Sequence, residues 1–270
     1  MEGITAVYLA AGISSRFGGR IKALARVGPN NETLLEISMN QAKEAGVDNF
    51  VIIASDKTSE PLRQVFGSSF KGIPISYCLQ KTPEYRKKPF GTSHALMSAK
   101  DFIDGLFIVL NSDDIYGAKT VRLVCDYLRS NKEAYCMPGY RLKNCIPKKG
   151  TVNRGIVTVK DNSILDRIIE TFGISEKNIP AKLSGDELVS MNLFGLQPRF
   201  FPYLDDEFKA FLEACKDAPA EELFLPETIS NFIKKNNLKM AVIPTDDIPI
   251  GLTNPQDEEI AREKLKIQAA

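Results

Sequence analysis

The sequence contains few of the residues that bind transition metals or build disulfide frameworks. Its 5 cysteines are scattered over 270 residues without a C-x-x-C pair, which argues against a structural zinc site and against a disulfide-stapled fold. His94 is the only histidine, so a two-histidine metal site is excluded. A serine or cysteine nucleophile would have only this one histidine as its base. We therefore do not expect covalent acyl chemistry.

Long apolar runs and an excess of charge of either sign are also lacking. No apolar stretch approaches the roughly 20 residues that span a bilayer, and the N-terminal M-E-G-I-T carries an acid instead of the basic head of a signal peptide. Lys and Arg number 35 against 34 Asp and Glu, so nothing global attracts the chain to nucleic acid or to an anionic membrane. We expect a cytoplasmic protein that binds neither. A homo-oligomer is possible, and the sequence leaves the oligomeric state open.

Short apolar runs alternate with helical patterns through the first half of the chain. Strands are predicted at 6–9, 50–54, 73–79 and 106–110, and helices at 34–45, 60–66, 92–102 and 118–129. This βαβα order implies a mostly parallel sheet covered by helices on both faces, with the ligand crevice at the carboxyl ends of the strands. We predict an α/β fold with three layers and a doubly wound, mostly parallel sheet of Rossmann-like type.

The second half has a different pattern and no internal repeat. Strands are predicted at 135–138, 155–159 and 188–196, and helices at 199–214, 221–235 and 255–267. The segment 139–150 is rich in Pro, Gly and Lys, which predicts a flexible loop or lid. We predict a single domain over 1–270, in which 134–270 forms a lobe appended to 1–133.

The first strand ends in a glycine-rich, basic loop, V-Y-L-A-A-G-I-S-S-R-F-G-G-R-I-K. Ala10, Ala11 and Gly12 have almost no side chain, so a polyphosphate could approach the backbone N–H groups that follow. Arg16 offers a planar fork to phosphate oxygens and Lys22 a mobile point charge. The alternative is an ordinary strand-to-helix turn with solvated bases. No Walker phosphate loop occurs, and no G-x-G-x-x-G follows the strand.

A pair of carboxylates, Asp113 and Asp114, follows the apolar run F-I-V-L-N-S. Magnesium prefers oxygen ligands and commonly takes one or two carboxylates together with substrate phosphates. The alternative is structural, because Asp is a good N-cap and favours the positive end of a helix.

Three motifs resemble the signature of the nucleotidyltransferases that make sugar nucleotides. They are L-A-A-G followed by Arg16 and Lys22, G-T-S-H-A, and S-D-D-I-Y-G. Two departures occur in the first motif, where Ile13-Ser14 replaces x-G and Ile21 replaces proline. The resemblance implies that Arg16 and Lys22 are catalytic and that Asp113 binds Mg²⁺. It also implies a nucleotide-binding set: Leu9, Ala10, Ala11, Gly12, Gln80, Gly91 and Thr92.

The resemblance implies that Gln80 forms hydrogen bonds with the nucleobase. It also implies that the turn at Gly91 and Thr92 lets the base and the ribose approach the backbone. An extra basic loop, 81–88, lies between them. It could touch a phosphate, and we favour a solvated loop. His94, on the helix that follows, is interpreted as a packed or hydrogen-bonded residue, because the implied reaction needs no general base.

The sequence around Gly155, Glu170 and Asn192 resembles the acceptor-binding motifs of the same family. The resemblance therefore implies that these residues bind the acceptor. It also implies a nucleotide-binding half, 1–133, and an acceptor-binding half, 134–270. Thr171 replaces the expected lysine of an E-K pair, and Arg154 or Lys182 could substitute for its charge.

A second metal ligand is expected near the C-terminal turn, where Thr253 occupies the matching position. Asp246 and Asp247 are candidate replacements.

The implied reaction joins an NTP, with UTP or CTP favoured, to a sugar 1-phosphate and releases pyrophosphate with Mg²⁺. One alternative is a cytidylyltransferase that acts on phosphocholine or another alcohol phosphate. A glycosyltransferase of the same sheet type would carry a D-x-D motif, which is absent at the proposed metal turn. The alternative from another class is a non-catalytic regulator that binds nucleotide sugar.

Overall fold

The computed structural model describes residues 3–12, 17–86, 88–131, 133–147, 150–161, 163–180, 182–215, 218, 220–252 and 254–269. Arg16, which is predicted to be catalytic, lies outside the described residues, as does Thr253.

Strands and helices alternate through the first half of the described chain. The strands are β1 (Thr5–Leu9), β2 (Asn49–Ala54), β3 (Ser69–Phe70), β4 (Ile73–Leu79), β5 (Phe107–Asn111) and β6 (Asp114–Ile115). The helices are α1 (Leu34–Glu44), α2 (Ser59–Phe66), α3 (Thr92–Met97) and α4 (Ala118–Ser130), with short 3₁₀ helices at Lys22–Leu24 and Lys100–Phe102. Each predicted strand and helix of this half is present within a few residues of its expected bounds, although the helix predicted at 92–102 is interrupted after Met97.

The second half adds strands in both directions and three helices. The strands are β7 (Tyr135–Arg141), β8 (Val152–Lys160), β9 (Ile164–Ile174), β10 (Leu188–Ser190), β11 (Phe194–Leu196), β12 (Met240–Pro244) and β13 (Ile250–Gly251). The helices are α5 (Phe200–Ala214), α6 (Leu225–Lys235) and α7 (Asp257–Ala269), with a 3₁₀ helix at Leu142–Cys145.

The described strands form an 11-stranded sheet in the order β10-β8-β9-β12-β7-β11-β5-β1-β2-β4-β3. In its centre β4, β2, β1, β5, β7 and β12 run in one direction, and β11 lies antiparallel between β5 and β7. Beyond β12 the strands β9, β8 and β10 are antiparallel neighbours. The predicted α/β fold with a mostly parallel central sheet is confirmed.

Helices cover both faces of this sheet because strand side chains alternate between the faces. On β2, Ile52 packs in the core beneath α1, α2 and α4, whereas Val51 packs in the core beneath α3, α5 and α6. The continuous apolar runs of the central strands are therefore explained by burial on both sides. A third, smaller core joins α7 to the β6–β13 pair through residues that include Ile115, Ile250 and Leu265.

The prediction of a loop or lid at 139–150 is wrong for much of that segment. β7 continues to Arg141, and the chain then forms the 3₁₀ helix Leu142–Cys145. Gly139 lies inside the sheet, where an added Cβ would come within 3.0 Å of Leu188 Cδ1 and Val242 Cγ1. This glycine therefore serves close packing inside a strand and does not mark a loop.

The strand predicted at 188–196 is divided in two, because Asn192 adopts a left-handed backbone with φ of 61°. β9 and β12 are missed by the sequence interpretation. β9 is partly exposed, with Ile169 and Phe172 49% and 60% exposed, so its pattern does not resemble a buried strand. No helix in the described part of the chain is long and apolar enough to cross a membrane.

Gly195→Ala should lower the free energy of unfolding by about 1–3 kcal/mol, because overpacking a filled core costs that much. Its added Cβ would lie 2.7 Å from Cys136 Sγ and 3.0 Å from Leu128 Cδ1, at the centre of the sheet. Urea denaturation measures the change. Gly105→Ala is the matched control, because in the described part of the chain its Cβ would meet only Gly3 O, at 3.8 Å. Equal stability of the two variants would contradict the packing described for β11.

Candidate active site

The loops that follow β1 and β5 lie side by side. These strands are parallel neighbours with Leu9 paired to Asn111, and Ser112 N donates to Leu9 O at 3.2 Å. The turn after β1 is held by Ala10 N, which donates to Ile53 O at 2.8 Å, and by Thr58 Oγ1, which donates to Ala10 O at 2.9 Å. We call the cavity at this turn the nucleotide cavity; it is lined by Leu9, Ala10, Gly12, Ile21, Lys22, Ala23, Ser112 and Asp113.

Lys22 and Asp113 meet in this cavity although 91 residues separate them in the sequence. Lys22 Nζ lies 3.3 Å from Asp113 Oδ2, and the two side chains are 20% and 34% exposed. The same ammonium lies 5.5 Å from the centre of the Phe17 ring, a distance typical of a cation–π contact. Two predicted site residues, one catalytic and one metal-binding, are therefore brought together at the carboxyl edge of the sheet.

Asp114 has a different environment from its neighbour Asp113. Its side chain is buried and accepts a hydrogen bond from Asn111 Nδ2 at 2.9 Å. Burial raises the pKa of Asp114 to about 7, and the charge of Asp113 adds to this rise. β6 pairs Asp114 with Gly251 of β13, where any side chain would collide with Asp114 Oδ1. Asp113 is thus the accessible carboxylate of the pair, and Asp114 the buried one.

The site fits a magnesium ion that shares its ligands with a substrate. Among the described residues, no group of three or more His, Cys, Asp or Glu side chains could hold a metal by itself. Asp113 nevertheless offers one accessible carboxylate beside a second one, and Mg²⁺ commonly takes one or two carboxylates and completes its shell with water and substrate phosphates. A cation there would also relieve the repulsion between the two adjacent acids.

Asp246 and Asp247 do not line the cavity around Asp113. Asp247 Oδ2 accepts hydrogen bonds from Thr120 N at 2.9 Å and Thr120 Oγ1 at 2.8 Å, in the first turn of α4. This carboxylate satisfies one backbone N–H group in the first turn of the helix, which is a structural role. Asp246 is exposed.

The turn predicted to bind the nucleobase is built against the segment before α6. Gly91 has φ of 96°, and a Cβ there would lie 2.6 Å from Leu223 O, so this position requires glycine. Thr92 Oγ1 accepts from Leu225 N at 2.9 Å. Gln80 is buried, and its Nε2 donates to Gly91 O at 2.9 Å. Gln80 therefore holds the turn in place.

The prediction that the basic loop 81–88 is solvated is wrong for Arg86. This side chain is only 8% exposed, and its guanidinium lies 4.4 Å from the centre of the Phe90 ring. It donates to Ala218 O at 3.0 Å and to Glu221 O. Arg86 thus joins the loop to the segment before α6 through backbone carbonyls.

His94 is a packed residue, as predicted. Its ring stacks on Phe208 with centroids 4.7 Å apart and meets Phe90 edge-on at 5.1 Å. Burial lowers the pKa of His94 to about 4, so the ring is neutral at physiological pH.

Gly155, Glu170 and Asn192 converge on a second cavity, which we call the acceptor cavity. In the sheet Gly155 pairs with both Glu170 and Ser190, and an added Cβ would lie 2.7 Å from Ile168 Cγ2. Asn192 Nδ2 lies 3.4 Å from Asn111 Oδ1. The lining comprises Thr92, Asn111, Asp114, Asn153, Arg154, Gly155, Glu170, Ser190, Met191, Asn192, Phe224 and Pro226.

Two polar groups of the acceptor cavity are available to a ligand. Asn192 Oδ1 is buried and has no hydrogen-bond partner in the part of the chain that the structure describes. Glu170 is half-buried, and its pKa is raised to about 7 by burial first and by Glu227 second, against the opposing charge of Arg154. An unsatisfied buried acceptor is costly, so a hydroxyl donor from a ligand would be favourable.

Arg154 and Thr171 are paired directly across the β8–β9 hairpin. Arg154 lines the acceptor cavity, whereas Lys182, the other candidate for the missing lysine charge, is exposed and does not line it.

A family model of the MobA-like NTP transferase domain matches residues 6–173. The chain belongs to this family. Its match includes the turn after β1, the Asp113–Asp114 pair and the hairpin that carries Gly155 and Glu170. The prediction of a nucleotidyltransferase family from the sequence motifs is confirmed.

Two curated relatives that this MobA-like chain matches in part are named as nucleotidyltransferases. It is 26% identical over 150 residues to the D-glycero-alpha-D-manno-heptose 1-phosphate guanylyltransferase of Campylobacter jejuni, covering 55% of this chain and 62% of that protein. It is 30% identical over 120 residues to the low-salt glycan biosynthesis nucleotidyltransferase Agl11 of Haloferax volcanii, covering 42% of this chain and 32% of that protein. The chain thus matches between a third and just under two thirds of the length of these relatives.

Solved structures share the fold over nearly the whole chain. A putative glucose-1-phosphate thymidylyltransferase from Bacillus anthracis, in complex with a sucrose, aligns with a TM-score of 0.72 at 15% identity over 98% of this chain and 96% of its own. A UDP-glucose pyrophosphorylase complexed with UDP-glucose aligns with a TM-score of 0.69 at 15% identity over 99% and 100%. At this identity the similarity shows the fold alone.

Asn111 is a site residue that the sequence interpretation missed. It donates to Asp114, contacts Asn192 and lines the acceptor cavity. Its position immediately before Ser112-Asp113-Asp114, at the end of a buried strand, is the signal that could have identified it.

The free energy of unfolding of Glu170→Gln, compared with that of wild type, should increase as the pH rises from about 4.5 to above 7. The folded-state pKa of about 7 lies above the ordinary 4.5, so within this range the folded state keeps a proton that the unfolded state has lost. Wild-type stability due to this group therefore falls with rising pH, and glutamine removes the dependence. Urea denaturation at pH 5 and pH 8 measures it. The exposed Glu176→Gln serves as control, and a pH-independent difference for Glu170→Gln would contradict the burial described here.

Proposed function

We propose that this protein transfers a nucleotidyl group from an NTP to the phosphate of a sugar 1-phosphate, with Mg²⁺, to form an NDP-sugar and pyrophosphate. The observation that carries the proposal is the 3.3 Å contact between Lys22 Nζ and Asp113 Oδ2 beside the nucleotide cavity. UTP or CTP is the favoured donor.

In the proposed step a phosphate oxygen of the acceptor attacks the α-phosphorus of the NTP. One P–O bond forms, the bond between the α-phosphorus and the bridging oxygen of the β-phosphate breaks, and pyrophosphate leaves with the electron pair. Bound Mg²⁺, held by Asp113, would neutralise phosphate charge as the two anions approach. Little covalent work falls to the protein, so positioning and charge stabilisation supply the rate.

Lys22 is proposed to stabilise the triphosphate and the leaving pyrophosphate, and its position in the nucleotide cavity beside Asp113 supports this role. Arg16 is proposed to assist it, on the resemblance of its motif. The small residues Ala10, Ala11 and Gly12 let phosphates approach the backbone, and no atom of the described residues would lie within 4 Å of a Cβ at Gly12.

The nucleobase is proposed to lie against the turn formed by Gln80, Gly91 and Thr92. Because Gln80 Nε2 donates to Gly91 O, its Oε1 is the atom left to accept from a base N–H, which is the ring N–H of uracil or the amino group of cytosine. The relatives include a guanylyltransferase and a UTP–glucose-1-phosphate uridylyltransferase, AglF of Haloferax volcanii, so all four bases need to be tested.

A polyhydroxyl acceptor suits the acceptor cavity better than choline does. Glu170, Asn192 and Ser190 present hydrogen-bonding groups, whereas Phe224 is the single aromatic residue that lines the cavity in the described chain. Quaternary ammonium groups are usually bound by cages of several aromatic rings. We keep the proposed division into a nucleotide-binding half, 1–133, and an acceptor-binding half, 134–270. Thr92, Asn111 and Asp114 are contributions of the first half to the acceptor cavity.

Pyrophosphate release tests the proposal directly. The assay crosses ATP, GTP, CTP and UTP with sugar 1-phosphates, inositol 1-phosphate and phosphocholine, with and without Mg²⁺. Turnover of one NTP and sugar 1-phosphate pair supports the proposed reaction. Turnover with phosphocholine alone would assign the alcohol-phosphate alternative. Binding of nucleotide sugar without turnover would assign the regulator instead.

Lys22→Ala and Asp113→Ala should each reduce kcat by at least about 10²-fold, because each removes charge stabilisation from the reacting phosphates. Their melting temperatures should stay near that of wild type, since a partly exposed ion pair contributes about 1 kcal/mol or less. Steady-state kinetics and thermal unfolding measure both effects.

Lys119→Ala is the control, since this exposed lysine lies in the first turn of α4. Wild-type turnover in both site variants would contradict the assignment of Lys22 and Asp113. Loss of turnover together with a large fall in melting temperature would assign the pair to folding instead.

A further inference from the structure

A third cavity, the basic cavity, lies between the β6–β13 pair and the C-terminal helix α7, and the proposed function leaves it without an occupant. It shares Lys22 and Asp113 with the nucleotide cavity, and Asn111, Asp114, Arg154 and Met191 with the acceptor cavity. Three cationic side chains line it: Lys22, Arg154 and Lys264.

Lys264 faces this cavity because of the helical repeat of α7. The lining residues of the helix are Asp257, Ile260, Ala261 and Lys264, a spacing of three, four and seven residues that places them on one face. Ala261 is buried, and Lys264 is half-buried. In the described chain Lys264 forms no ion pair.

Arg154 is held rigidly by neutral groups. Its Nε and Nη2 donate to Cys145 O at 3.2 and 2.9 Å, and its Nη1 donates to Asn153 O at 3.0 Å. Carbonyl acceptors orient a guanidinium without cancelling its charge. Within the described ranges Arg154 forms no ion pair with a carboxylate, although its charge opposes the rise in the pKa values of Asp114 and Glu170. Its three hydrogen bonds use three of the five N–H groups of a guanidinium, so two N–H groups remain to donate to an anion.

The acids of the basic cavity are already engaged. Asp113 pairs with Lys22, and Asp114 accepts from Asn111. Asp257 Oδ2 accepts from Asn254 N at 2.7 Å at the start of α7. Arg154 and Lys264 are therefore the cations with which an entering anion would interact.

We propose that Arg154 and Lys264 hold the phosphate group of the acceptor sugar phosphate. This inference rests on the proposed function. Arg154 lines both the acceptor cavity and the basic cavity, so a sugar beside Glu170 and Asn192 has its phosphate next to that guanidinium. Asp113 also lines the basic cavity, which puts the attacking phosphate beside the metal-binding carboxylate.

Lys264→Met should raise the KM for the sugar 1-phosphate by about tenfold, equivalent to about 1.4 kcal/mol of lost charge-assisted binding, with the KM for NTP within about twofold of wild type. Lys264→Arg should retain most of the affinity, because it keeps the charge. The matched control is Lys266→Met, at an exposed position of the same helix. Steady-state kinetics with each substrate varied in turn gives both constants.

An unchanged KM for the sugar phosphate in Lys264→Met overturns the inference. A rise confined to the KM for NTP, or for pyrophosphate in the reverse reaction, also overturns it, because the basic cavity would then hold phosphates of the nucleotide. Retained circular dichroism and the activity of Lys264→Arg separate loss of charge from loss of fold.

Failure of the proposed function gives a different result, because wild type itself would then release no pyrophosphate with any pair of NTP and acceptor. Calorimetric titration with inorganic phosphate then tests, independently of turnover, whether the basic cavity binds an anion through Lys264. Weaker binding to Lys264→Met than to wild type and Lys266→Met supports the site, and equal binding to all three overturns it.

Discussion

The parallel pairing of β1 with β5 is the constraint on which the rest of the site depends. Leu9 lies opposite Asn111, so the glycine-rich turn and the Asp113–Asp114 pair leave the sheet at the same edge. A shift of this register by one residue would turn every side chain of one strand to the other face and bury the wrong residues. The double-sided core that fills both faces of β1 and β5 therefore also places the turn at Ala10 beside Ser112 and Asp113.

Adjacent acids acquire different roles from their surroundings. Asp113 remains accessible and pairs with Lys22, whereas Asp114 is enclosed by the β6–β13 pairing and bonded to Asn111. Because desolvation disfavours the charged form, Asp114 keeps its proton more readily, and Asp113 is the better ligand for a cation. The buried carboxyl also links the Asp113 side of the site to Asn192 through Asn111.

The second half of the chain completes a cleft that the first half only begins. The β8–β9 hairpin supplies Gly155 and Glu170, the break between β10 and β11 supplies Asn192, and α7 closes the far side. Buried central strands such as β2 and β5 were predictable from continuous apolar runs. The partly exposed β9 and the internal Gly139 were not, because exposure and close packing at a glycine leave no simple periodic signal.

The sequence by itself determined the chemistry available at the turn after β1 and at the acidic pair, because small residues, bases and carboxylates have the same properties wherever they lie. It also determined the family and the layered α/β fold, through motif spacing and hydrophobic periodicity. Only the tertiary structure decided that Arg86 is buried, that Asp247 caps α4, and that Arg154 and Lys264 line one cavity. Such contacts join residues more than 100 positions apart, and they depend on sheet order and helix orientation, which local patterns do not encode.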